Sequence, residues 1–188
     1  TVTDPAKLTA TVAAIVRVAG LHIYPVKSTR GQDVEAAQVE RWGLAGDRRF
    51  LVVDDDSRHV TAREDARLLS VSAVERGASE LILHGPHADP VVVHVFGRTT
   101  TKVHIWGDEV SAVRPSAEAD AWFSALLGRE VGLVWLDDPT SRPVNPAYGV
   151  PGDTVSFADG YPLLLTATAS LSQLNDWITA TAAERGEF

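Results

Sequence analysis

The chain has 188 residues, 45% of them hydrophobic and 22% charged. That is enough to bury one large or two small cores, and too apolar for a disordered chain. It has no cysteine, which excludes disulfides, thiolate metal sites, protein-bound iron–sulfur clusters and cysteine nucleophiles within this stretch. Charge is uneven: 17 basic and 25 acidic groups give −8, yet the first 50 residues carry seven basic and five acidic side chains. That balance favours a local site for a small anion over nucleic-acid binding.

No run approaches the roughly 18–20 apolar residues of a membrane span, and no secretory leader is visible. The expectation is a cytoplasmic protein with neither membrane nor nucleic acid as partner. Methionine is absent too, so a processed or cut polypeptide, a fragment of a longer product, is expected.

Short apolar runs punctuated by turn residues fill the first two thirds. Residues 15–24 read as a strand stopped by Pro25, 34–39 as a second and 50–53 as a third. The run Asp54-Asp55-Asp56-Ser57-Arg58 is a turn, from which 59–61 return as a hairpin partner. Strands at 68–74, 81–84, 91–95 and 102–106 follow, and a tight turn at 106–109 leads into 110–114. So many short strands without intervening helices predict an antiparallel barrel. Two helices complete the chain. Ser116 caps one that carries Trp122, Phe123, Leu126 and Leu127 on one face and ends at Gly128. The other runs over 170–183, with Ser170 and Gln173 as a capping box and Leu171, Leu174, Trp177 and Ile178 as its stripe. Between them lie a strand at 131–136 and a long Pro/Gly/Asp-rich connection, 137–153, which is a candidate boundary.

Chemistry has few places to sit. In the segment 23–31, Pro25 ends the strand and leaves Lys27, Ser28 and free turn amides as a cradle for an oxyanion. A solvated strand-end lysine is the plainer alternative. In 43–50, two glycines allow a tight turn, Asp47 orders a guanidinium, and Arg48 and Arg49 point to opposite faces, so only one reaches a given pocket. The alternative is a surface turn with an Asp–Arg pair of about 0–1 kcal/mol. Thr61 and Arg63, on one strand face, are a further anion contact or simply surface. Asp159-Gly160-Tyr161-Pro162 is a turn before an apolar strand at 163–165. Of six histidines only His84 and His87 are close, and zinc is not expected. The five tryptophans are scattered and fit core or interface positions.

Taken together, the segments 21–31, 43–50 and 61–63 resemble the N-terminal β-barrel domain of MOSC proteins, and 157–165 with 169–175 resembles the start of the MOSC domain itself. The resemblance implies a mainly β, MOSC-like barrel with a few helices, α+β overall. Residues 1–136 would form the N-terminal barrel-like domain, and 137–188 the connection and an incomplete start of the MOSC domain. It implies a molybdenum pyranopterin cofactor (molybdopterin), contacted by Lys27, Ser28 and Arg48 and approached by Asp159, Gly160 and Tyr161. Amidoxime-reducing relatives imply a reductase of small N-hydroxylated substrates fed by an iron–sulfur or flavin electron-transfer partner. In such relatives a cysteine thiolate binds molybdenum, and these 188 residues hold none. The alternative is therefore a non-catalytic cofactor-binding or sulfur-carrier accessory module.

Overall fold

The computed structural model describes residues 16–185 except positions 78, 87, 97 and 98, so His87 and the first residue of the expected opening strand lie outside the described residues. The architecture is mainly β with two helices, and its strands lie in open sheets. Strands β1 (Leu21–Ile23) and β2 (Gln32–Val34) pair, as do β3 (Val39–Glu40) and β4 (Gly43–Leu44). Strand β5 (Phe50–Asp54) is followed by β6 (Ser72–Arg76), β7 (Glu80–Gly85) and β8 (Ala88–His94), which form a three-stranded sheet. A four-stranded antiparallel sheet has the order β5-β11-β10-β9, with β9 at Thr100–Ile105, β10 at Asp108–Val113 and β11 at Val131–Trp135.

The alternation of strand side chains builds two cores from one sheet. Phe50 and Val52 of β5, with Val131 and Leu133 of β11, face the β6–β8 sheet and helix α1 (Ala117–Leu127). Leu51, Val53 and Val134 point the other way and meet Val103, Ile105, Val110, Ala112 and Phe157. Burial on both faces explains why β5 and β11 read as continuous apolar runs. Helix α1 begins at Ser116, whose side chain accepts the amide of Ala119 at 3.3 Å, and ends at Gly128 in the left-handed conformation, φ 61°. Its Asp120 carboxylate accepts the amide of Leu133 at 2.7 Å, tying the helix to β11.

Several expectations are corrected. The run 34–39 is the end of β2 and the start of β3 with a non-strand stretch between. Residues 66–70 form a 3-10 helix, capped by Asp65 accepting the amide of Arg67, so the strand begins only at Ser72. Thr61 to Arg63 is not strand: the Glu64 carboxylate accepts the Thr61 amide at 2.9 Å and bends the chain into a turn. Helix α2 (Thr168–Arg185) starts before Ser170, which therefore sits inside it and caps nothing. Residues 163–165 find no strand partner, and Leu164 and Leu165 stand 83% and 91% exposed. No helix among the described residues is long and apolar enough to cross a membrane.

Candidate functional site

Beyond Pro25 the chain runs parallel to the start of β5 through a bridge between Val26 and Phe50. The Phe50 amide donates to Pro25 O at 3.0 Å, the Lys27 amide to Phe50 O at 2.9 Å, and the Arg48 amide to Tyr24 O at 2.7 Å. These bonds put Lys27 and Arg48, twenty-one positions apart in sequence, at one end of β5. The tight turn between β3 and β4 that leads there needs Gly43, at φ 130°, where a Cβ would come within 2.9 Å of Pro162 O. On the other side, the Phe157 amide donates to Arg48 O and the Ser156 hydroxyl to Asp47 O, each at 3.0 Å. The Asp159 turn is thereby delivered to the same place.

The result is a cavity of about 300 Å³ whose lining includes Lys27, Ser28, Arg48, Thr61, Arg63, Trp106 and Asp159. Lys27, Ser28, Arg48 and Asp159, picked from separate segments, are brought together. Gly160 and Tyr161 are not among the lining; the Tyr161 hydroxyl instead donates to Tyr148 O at 3.4 Å.

Lys27 is buried and its ammonium donates to Asp159 at 2.5 Å. Desolvation pulls the lysine below its usual pKa, opposed by Asp159 and reinforced by Arg142 and Arg48. Burial raises the Asp159 carboxyl, but Lys27, the Trp106 indole and Arg63 together outweigh it and hold the group below the usual carboxylate range. Arg48 is not on the surface turn that its sequence allows. Its Nε donates to the buried Asp47 at 2.6 Å and one Nη to Pro162 O at 2.9 Å. Arg49 turns away to the carbonyl of Leu136, so only one of the two arginines reaches the cavity. Ser28 offers a hydroxyl and an amide with no partner among the described residues.

Three of the four non-glycine residues with positive φ among the described residues line this one cavity: Ser28 at 67°, Arg48 at 51° and Trp106 at 55°. Left-handed backbone at side-chain-bearing positions costs energy and persists where the surroundings enforce it, often at functional sites.

Two residues escaped sequence reasoning. Trp106, expected in a core or interface, is 48% exposed and has Lys27 and Arg63 at 5.8 and 5.9 Å from its ring. Its place in the turn before Asp108 was visible; its convergence with two cations was not. Arg142, in the long connection, is buried and donates to Ser156 O, Ala158 O and Asp159 O at 2.7, 2.6 and 3.2 Å and to the Asp108 carboxylate at 3.0 Å. One guanidinium thus fixes the turn that carries Asp159. Its only sequence signal is an arginine amid prolines, Pro139 and Pro143.

The donor set suits an anion: a buried ammonium, a partly buried guanidinium, the hydroxyl and amide of Ser28, and Arg63, which makes no hydrogen bond or ion pair among the described residues. Among the described residues no cluster of three or more His, Asp or Glu is placed to hold a metal ion.

The chain is similar to known proteins over most of its length. Human mitochondrial amidoxime-reducing component 1 is 32% identical over 170 residues, covering 84% of this chain and 50% of that protein. Human mitochondrial amidoxime reducing component 2 is 34% identical with the same coverage. The chain spans about half the length of the curated relatives it matches. A Bordetella bronchiseptica protein solved in solution aligns with TM-score 0.45 and 18% identity over 62% of this chain and 99% of that one. Both human relatives are named as mitochondrial, a finding that overturns the expectation of a cytoplasmic protein. The family model described as the MOSC N-terminal beta barrel domain matches residues 15–130, more than half of the chain, and on that match the protein belongs to the MOSC family.

Proposed function

We propose that this chain is the cofactor-cradling part of a molybdenum-dependent reductase of small N-hydroxylated compounds, supplied with electrons by an iron–sulfur or flavin partner. The observation that carries the reading is the convergence of Lys27, Ser28 and Arg48 on one cavity at the end of β5. Its donors fit the phosphate of a pyranopterin: charge-assisted hydrogen bonds from ammonium and guanidinium are the strong ones, and a dianion offers acceptors to Ser28 and Arg63 while drawing on Lys27 and Arg48, which already hold Asp159 and Asp47. When bound, the cofactor supplies the two-electron redox chemistry.

The chain's own residues bind and orient. Lys27 gives the phosphate a point charge in a desolvated setting, where the attraction is stronger than in water. Arg48, its Nε already fixed by Asp47, presents a guanidinium of set direction. Lys27 would exchange its bond to Asp159 for the phosphate, and Asp159, as an acceptor, would suit N–H donors of the pterin ring. Gly160 and Tyr161 belong to the same turn and shape its approach. The division into 1–136 and 137–188 is one of labour, the first part supplying Lys27, Ser28 and Arg48 and the second Asp159.

The test uses protein from the complete reading frame, produced with ample molybdate, and measures molybdenum, phosphorus and pterin per chain. The expected result is near-equimolar cofactor in the parent and about a tenfold or greater loss in Lys27→Met and Arg48→Met, each of which removes a charge-assisted contact. Absence of all three from the parent, or full retention in both variants, would overturn the reading.

A further inference from the structure

A second cleft, of about 810 Å³, lies on the far side of Trp106 and shares only that residue with the Lys27 cavity. Nothing in the cofactor reading uses it. Its acidic groups are committed. Asp65 accepts from Nε and Nη2 of Arg67 at 2.8 and 2.7 Å. Asp54 accepts the amide of Arg58 at 2.7 Å, and Glu64 accepts the amide of Thr61 at 2.9 Å.

Its donors are not. Arg129 makes no hydrogen bond or ion pair among the described residues. The Arg58 guanidinium comes no closer to a carboxylate than 3.9 Å, from Asp56. The His104 ring makes no hydrogen bond either, while its carbonyl faces Nδ1 of His59 at 3.2 Å. A carbonyl only accepts, so His59 carries its proton on Nδ1 and keeps Nε2 free. The His59 ring packs against the Trp106 indole, centroids 4.5 Å apart, on the wall that the two cavities share. Once Arg67 is set against Asp65, Arg58, Arg129 and the His104 ring have no hydrogen-bond acceptor among the described residues, with only the 3.9 Å pair to Asp56 and the field of Asp65 to balance the two guanidinium groups, while each carboxylate of the cleft already accepts an N–H. Unpaired guanidinium forks lining one concavity are matched by the planar oxygens of a carboxylate or by those of a phosphate.

We propose that the cleft walled by Trp106 is a second ligand site, which binds a small oxyanion, a phosphate ester or a carboxylate, through Arg58, Arg129 and His104. It is independent of the Lys27 cavity, and a small molecule can occupy it whether or not a cofactor is present. Arg67, held by Asp65 and by the carbonyl of Leu127 at 2.7 Å, serves as a fixed wall.

The experiment titrates the protein with inorganic pyrophosphate and, separately, with citrate in a calorimeter. Arg58→Gln, Arg129→Gln and Arg63→Gln are compared with the parent. Arg63 belongs to the Lys27 cavity and reports on it; all three side chains are exposed, and the loss of any leaves the cores intact. The expected result is saturable binding weakened about tenfold or more by Arg58→Gln and by Arg129→Gln, and changed less than about twofold by Arg63→Gln. Tighter pyrophosphate than citrate supports a phosphate ester, and the reverse a carboxylate. Failure of both probes to saturate at millimolar concentration overturns the proposal. So does binding that is lost with Arg63→Gln but kept with the other two, because the anion then sits beside Lys27.

Discussion

The two helices carry similar sequence patterns and meet opposite fates. Helix α1 buries Ala119, Phe123 and Leu127 against the sheets, and its Ser124 exchanges hydrogen bonds with both backbone groups of Val131. Helix α2 buries no residue. Its stripe of Leu171, Leu174, Trp177 and Ile178 is 49% to 62% exposed. A periodic stripe therefore specifies a helix without specifying what covers it: α1 draws its stability from packing, whereas nothing among the described residues buries a side chain of α2.

That contrast can be broken most forcefully at Phe123. Phe123→Ala is expected to cost about 3–5 kcal/mol in urea unfolding, as for a fully buried aromatic, while Trp177→Ala changes stability by less than about 0.5 kcal/mol. Equal losses would erase the distinction. The packed body extends as far as Asp159 through Arg142, and Arg142→Leu is expected to cost about 3 kcal/mol, since it leaves the carbonyls of the buried Ser156 and Ala158 without that donor. Faster amide exchange at Phe157 would accompany it, and protection equal to the parent's would count against the tie. The helix starts differ more gently. Ser116→Ala should cost about 1 kcal/mol, whereas Ser170→Ala, inside its helix, should stay within about 0.5 kcal/mol; thermal unfolding distinguishes them.

The smallest effect is a slope with pH. Burial lowers the pKa of Lys27 in the fold below 10.5, so between the lowered value and 10.5 the unfolded chain holds more protons, and stability rises with pH. Urea midpoints of the parent should gain on those of Lys27→Met between neutral pH and about pH 10. A falling difference would mean that Asp159, not desolvation, dominates Lys27.

Local chemistry accounts for what the sequence made legible. The acidic run 54–58 turns as expected because the Ser57 amide reaches Asp54 O and the Arg58 amide the Asp54 carboxylate. Alternation failed at 61–63 and 68–74, where the side chains of Glu64 and Asp65 take backbone amides and impose turns. The Thr61-x-x-Glu64 spacing was the missed signal, half of a capping box. Residues 163–165 look like a strand, but a strand exists only beside a partner edge. In the site, Lys27, Ser28, Arg48 and Asp159 stand out as turn residues that interrupt strand patterns, but the resemblance to MOSC proteins, not the spacing, marks them as cofactor contacts. Trp106 and Arg142 act only through contacts with distant segments, and no spacing encodes those.

The fastening of Arg142 has one more consequence. The Val155 amide donates to Arg142 O and the Val144 amide to Asp153 O, both at 3.0 Å, and Pro143 bridges Thr154. Residues 145–152 therefore form a loop clasped at its own neck, upstream of the turn that holds Asp159. Length changes there cost little chain entropy and leave the neck in register, which makes the stretch a natural place for inserting a label, an epitope or a whole guest domain while the cavity at Lys27 keeps its shape.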